Sequence, residues 1–226
     1  MARILGCLTA LVISVSAWGA SLPGVSESEA SSGLKQALMD GSAAAVRQLG
    51  VENGFFTNPK VKIPLPPALQ RVESALRFAG MRKQADDLVL AMNRAAEAAV
   101  PEAKVLLVDS VKRMSVKDAH GILTGGDTAA TQYFRRTTHD QLAKRFLPIV
   151  KKATDRVGLA EQYNSLAGQG MQLGLIRQDQ ATIEAYVTEK ALDGLYFMIA
   201  EQEKSFRQNP LGASSDIVKR VFGSMR

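Results

Sequence analysis

The stretch RKQADDLVLAMNRAAEAAV, Arg82 to Val100, decides the fold. Ala85, Leu88, Val89, Met92, Ala96 and Ala99 recur at three- and four-residue steps, which gathers them on one side of a helix. Ala91, Ala95 and Ala98 keep the other sides small, so neighbouring helices can approach from several directions. The pattern predicts a central helix over 82–100. Three polar residues interrupt it within one turn. With Met92 in the middle of the apolar face, Asn93 falls about 100° round, Glu97 about 140° and Arg94 about 200°. If other helices cover that side, these groups must be paired, because an unpaired buried charge costs several kcal/mol. Glu97 lies three residues from Arg94, within reach of it. Asp118, Asp127, Tyr133 and Asp193 are further candidate partners from elsewhere in the chain. The arrangement reads as an internal network that fixes helix packing, or else as a polar ligand pocket or a catalytic carboxylate.

The periodicity stays helical on both sides of this segment. Leu34, Leu38, Ala45 and Leu49 predict a helix over 31–49, stopped by Gly50. Val51 to Pro67 is punctuated by Asn53-Gly54, Asn58-Pro59, Pro64, Pro66 and Pro67 and reads as an irregular loop. Val61-Lys62-Ile63 is extended in character, and Phe55, Phe56, Ile63 and Leu65 are placed to pin the loop to the body. Pro66 and Pro67 suit a helix start, where a missing N–H costs nothing. Leu69, Val72, Ala75, Leu76 and Ala79 form one face of that helix, and Gly80 ends it.

Downstream, Pro101 restarts a helix to Met114, and Ser115 with Asp118 opens a short one to Leu123. Thr124-Gly125-Gly126-Asp127 breaks the chain. Asp127 is expected to cap the next helix, worth about 1 kcal/mol, and that helix carries Ala130, Tyr133 and Phe134. Thr138 with Gln141 predicts another capping box, opening a separate helix through Leu142, Phe146, Ile149, Ala153 and Val157. Pro148 is expected to kink it and Gly158 to end it. Gly168, Gly170 and Gly174 predict a short helix followed by a loop over 159–176. Asp179 is expected to cap a long helix to Arg207, with Ile183, Val187, Ala191, Leu195, Ile199 and Phe206 inward. A last helix over 215–222 groups Ile217, Val218, Val221 and Phe222. No fixed-period repeat marks a solenoid. The expectation is a single all-α domain of eight or nine helices over residues 31–226, after a flexible stretch over 20–30.

The N-terminus sets the expected location. Arg3 precedes an apolar run from Ile4 to Ala17, and small residues follow at Ala17, Gly19 and Ala20. That layout predicts a signal peptide over residues 1–19, cut after Ala17 or Gly19. The chain's one cysteine, Cys7, would leave with it. Ile4-Leu5-Gly6-Cys7 is no lipoprotein box, because the apolar run follows Cys7 instead of preceding it. The processed chain then has no disulfide framework and no thiol nucleophile. Loss of Arg3 lowers the formal net charge from +6 to +5, a modest excess that favours anionic surfaces or ligands. It is far from the basic clusters of nucleic-acid binders. The expected location is the periplasm, with secretion as the alternative.

Several stretches carry a resemblance. They are Gly33 to Leu38, Gly54-Phe55-Phe56 with Val61 to Pro66, and Met92-Asn93-Arg94-Ala95-Ala96-Glu97. Asp118 to Leu123, Gly125 to Phe134, and Tyr186-Val187 with Lys190 to Leu195 follow in order. Together they resemble the bacterial family named domain of unknown function 4197. The resemblance covers nearly the whole processed chain and implies a helical, exported protein. It implies no activity.

The usual catalytic and binding signatures are missing. His120 and His139 each lack a second ligand at helical spacing, so no metal is expected. There is no Gly-x-Ser-x-Gly elbow and no strand to carry one. Gly168-x-Gly170-x-x-x-Gly174 has the wrong spacing for a dinucleotide loop. The Gly125-Gly126-Asp127 turn opens a helix that could attract an anion, but Asp127 occupies that position. The final helix, with Lys219, Arg220 and Arg226, suits either docking on its own domain or lying on an anionic membrane. No cofactor, nucleic acid or membrane span is expected. The favoured role is a non-enzymatic binding or structural protein of the cell envelope, holding an apolar or anionic ligand or an envelope protein. The alternative is a periplasmic enzyme, such as a hydrolase, with Glu97 or an aspartate as general base.

Overall fold

Ser26 opens the first helix. Its hydroxyl accepts from Glu29 N, and the Glu29 carboxylate accepts from Ser26 N, a capping box that satisfies two free amides. Helix α1 therefore runs Glu27–Leu49 and starts four residues before the expected Ser31. A computed structural model describes residues 26–71, 73–155, 157–172, 181–209 and Lys219. The expected signal segment, Asp179 and most of the expected 215–222 helix lie outside the described residues.

After the loop come α2 (Pro67–Arg71), α3 (Glu73–Phe78) and α4 (Arg82–Ala99). Only part of the expected apolar face before Gly80 turns inward: Leu69 is buried, whereas Ala75 and Ala79 are exposed. Pro101 sits in a single 3-10 turn, Val100–Glu102, that leads into α5 (Ala103–Lys112). Helix α6 (Val116–Leu123) carries the expected Ser115–Asp118 capping box. Helix α7 (Ala129–Thr154) is continuous, so Thr138 and Gln141 do not open a new helix. The Thr138 hydroxyl instead donates back to Phe134 O at 2.7 Å and meets Tyr196 Oη at 2.8 Å. Pro148 lies inside α7 on an exposed position, and Ala153, expected inward, is exposed as well. Gly158 begins α8 (Gly158–Gln172), which runs through Gly168 and Gly170 where a loop was expected. Helix α9 (Ile183–Gln208) is capped by the Thr182 hydroxyl, which accepts from Ala185 N at 3.1 Å.

Among the described residues there is no strand, and the protein is all-α. Helices α4, α7 and α9 pack on one another, with α1 against α9 and α5, α6 against α1 and α7, and α8 against α4. The shared core holds Leu88, Met92, Ala95, Ala96 and Ala99 of α4 with Phe134, Leu142 and Phe146 of α7. From α9 it takes Ile183, Val187, Ala191, Leu195 and Ile199 of the set expected inward, while Phe206, also expected there, is only partly buried against it. None of the described helices is long and apolar enough to cross a membrane.

Candidate functional site: two carboxylate clasps

The polar turn of α4 lies where the alanines let other parts of the chain come close. Asn93 is fully buried and Glu97 nearly so. Asn93 Oδ1 accepts from Ile63 N at 2.9 Å, and its Nδ2 donates to Ile63 O at 2.9 Å and Val89 O at 2.7 Å. The side-chain amide thus meets both polar groups of one loop residue, as a strand neighbour would. Glu97 Oε1 accepts from the backbone amides of Phe55 and Phe56 at 3.0 and 3.1 Å. Its Oε2 takes Nη1 of Arg94 at 2.6 Å. Arg94 continues outward through Nη2 to Glu52 Oε1 at 3.0 Å and Asn53 Oδ1 at 2.9 Å. A buried carboxylate persists only when charge and hydrogen bonds replace water, and here both do.

The clasp holds the loop that follows α1. Phe55 is buried to zero exposure. A Cβ on Gly194 would come within 2.7 Å of the Phe55 ring, so α9 must be bare there for the loop to sit down. Gly54 is constrained from the other side: a Cβ would meet Leu49 O at 2.5 Å and Gln48 O at 2.6 Å. Lys62 lies over the Phe56 ring at 4.4 Å and Arg94 at 5.9 Å, each contact worth about 0.5–1 kcal/mol at an exposed site. Tyr186 Oη donates to Pro64 O at 3.2 Å and ties the loop's far end to α9. Burial pushes the Tyr186 hydroxyl up to about 12.

A second clasp has the same chemistry. Glu203 of α9, 5% exposed, accepts at Oε1 from Ala130 N at 3.0 Å. Its Oε2 takes Thr131 N at 3.0 Å and the Thr131 hydroxyl at 2.9 Å. It caps α7 from a distant helix. Arg207, one turn further on, bonds Glu203 at 2.9 Å and Ile122 O at 2.8 Å, which closes the α6–α7 turn. Asp127 is therefore not the cap: Thr128 occupies the cap position without a side-chain bond to the helix amides, and Glu203 does the capping. The anion position at this helix start is filled by the protein's own carboxylate. A third buried acid, Glu184, accepts from Asn164 Nδ2 at 3.1 Å, and Asn164 Oδ1 accepts from Ile183 N at 2.7 Å.

The remaining sequence candidates do not join Arg94 and Glu97, whose partners come from the 52–56 loop. Asp118 caps α6 and lies 3.5 Å from Arg136. The Ser115 hydroxyl, above all, holds its carboxyl below the usual carboxylate range, and Arg136 and Lys117 add to this. Tyr133 donates to Ser110 O at 2.8 Å and carries Arg136 over its ring. Asp193 bonds Arg135 at 3.2 Å and Lys190 at 3.6 Å on the exposed α7–α9 seam. Gly126 and Asp127 are exposed, and the space around a Gly126 Cβ is open. His139 lies 3.2 Å from Glu189, and His120 is exposed. Among the described residues no three histidine, cysteine, aspartate or glutamate side chains gather as a metal site.

The sequence reading missed Glu203, Arg207 and Glu184. A signal was present for the first two. Glu203 continues the inward line of Leu195 and Ile199 on α9, with an arginine one turn on, and an acid on an apolar stripe has to be bonded.

No curated protein and no solved structure matches the chain. A family model described as "Protein of unknown function (DUF4197)" matches residues 24–223. That span takes in both clasps, the loop and every helix from α1 to α9. The chain belongs to the DUF4197 family.

Proposed function

We propose that this is an exported, non-enzymatic binding or structural protein of the bacterial cell envelope. One observation carries the non-enzymatic part. The acid best placed to act as a general base, Glu97, has both oxygens bonded: one to two backbone amides, the other to Arg94. A general base needs a lone pair open to substrate in a cleft, and a side chain with 5% exposure offers none. The same holds for Glu203, whose oxygens are taken by α7 and Arg207. The hydrolase reading therefore has nothing at Glu97 to work with. The envelope part rests on the Met1–Ala20 sequence and its basic, apolar and small-residue order.

Two measurements test the proposal. Osmotic-shock fractionation followed by N-terminal sequencing is expected to find the protein in the periplasmic fraction, starting at Trp18 or Ala20. Recovery from the cytoplasm with Met1 in place would overturn export. Native mass spectrometry of protein purified from its own envelope is expected to show a retained ligand or partner. Repeated recovery of the bare chain would overturn binding.

A further inference from the structure

The turn between α5 and α6 carries basic residues on both sides of an exposed valine. Lys112, Arg113, Ser115, Val116 and Lys117 are all exposed within six residues. Val116, the first residue of α6, is 70% exposed. Arg136 of α7 reaches the same place, 3.5 Å from Asp118 and 66% exposed. Three cationic side chains thus lie within four residues of one exposed apolar residue, and a fourth reaches the helix turn that it begins. The carboxylates among them are Asp109 and Asp118. Asp118 is already engaged by the Ser115 hydroxyl at 2.6 Å and by Arg136.

The turn is rigidly built. Val111 and Met114 are buried beneath it. Ser115 and Asp118 form the capping box, Arg113 Nε donates to Asp109 O at 3.3 Å, and Tyr133 Oη grips Ser110 O. None of these contacts needs Val116 or the ammonium groups of Lys112 and Lys117 to be exposed. The fold fixes the backbone and leaves the basic and apolar side chains outward.

We propose that the α5–α6 turn is a docking surface for an anionic lipid membrane, with Val116 seated among the headgroups and Lys112, Arg113, Lys117 and Arg136 around it. Charge complementarity selects the partner: a Lys or Arg near an anionic bilayer gains through the surface potential, and a short apolar tip adds affinity without spanning. Envelope location is needed only to bring a membrane within reach, so vesicle binding and cell fractionation can fail independently.

The test uses protein purified from cells expressing the whole chain and vesicles of phosphatidylglycerol and phosphatidylethanolamine. Binding is expected at 0.1 M NaCl and is expected to fall away at 0.5 M or on neutral phosphatidylcholine vesicles. Lys112→Ala with Lys117→Ala is expected to weaken binding about twenty- to thirtyfold, at roughly fivefold per cation. Lys151→Ala with Lys152→Ala, on exposed positions near the far end of α7, is expected to change it less than twofold. Circular dichroism checks that both variants keep the wild-type helix signal. No binding to the anionic vesicles would overturn the proposal. Equal losses in the two double variants would overturn it too, because the attraction would then be diffuse. Displacement by 10 mM inorganic phosphate at constant ionic strength would overturn it in favour of a small-anion site.

Discussion

Glu203 and Asp127 are acids within reach of the start of α7, and their environments set them apart. Glu203 is buried and bonds two α7 amides, a hydroxyl and Arg207. Asp127 is exposed. Glu203→Ala leaves Arg207, whose side chain is 12% exposed, without its carboxylate and uncovers the helix end. Breaking a buried pair in this way costs about 3–5 kcal/mol. Asp127→Ala is expected to stay within about 0.5 kcal/mol of wild type, as surface changes do. Urea denaturation of the two variants checks the contrast, and equal losses would refute the assignment. Asn93, Arg94 and Glu97 stood out in the sequence because polar residues on an alanine-rich helix are conspicuous. Their partners did not. The groups they bind include the backbone amides of Phe55, Phe56 and Ile63, 30–42 residues away, and every residue but proline has an amide. No residue type marks such a partner.

At the level of elements, local signals succeeded where nothing distant competed with them. Ser115 and Asp118 cap α6 as a sequence pattern would have it, and Ser115→Ala is expected to cost about 1 kcal/mol in thermal or urea unfolding. The same kind of pattern at Thr138 and Gln141 misled. Thr138 sits mid-helix and bonds Phe134 O and Tyr196 Oη, so α9 supplies the partner that a cap would otherwise have found. The seam between α9 and the 50–66 loop gives a sharper case. Gly194→Ala pushes a methyl group to within 2.7 Å of the Phe55 ring, and overpacking of this kind costs about 1–3 kcal/mol. Trimming the ring by Phe55→Leu in the same chain is expected to recover part of that loss. A double-mutant cycle measures the coupling, and strictly additive effects would refute the contact.

For the whole molecule, the all-α class was legible because three-to-four-residue periodicity runs through almost every segment. The path of the loop was not, since side chains and amides far apart in sequence hold it. The tyrosines report on the assembled body. The chain has four. Burial raises Tyr163, raises Tyr186 to about 12, and raises Tyr196 to about 12 despite its Thr138 bond. A folded-state value above the unfolded value of 10 contributes stability that is complete below pH 10. That stability is lost as pH climbs from 10 towards about 12. Absorbance at 295 nm is expected to show at least two tyrosines ionising only near pH 12, together with loss of helix. Smooth titration of Tyr186 and Tyr196 near pH 10 with the helix signal intact would contradict their burial. The Glu203 clasp also bears on timing. Ala130 and Thr131 leave the ribosome some seventy residues before the carboxylate that caps them. Until α9 is made, the leading end of the 26-residue α7 has no lid on its amides. Synthesis runs from first residue to last, yet this helix is finished from the last one back, so a nascent chain stopped short of residue 203 should fray there and stay open to proteases.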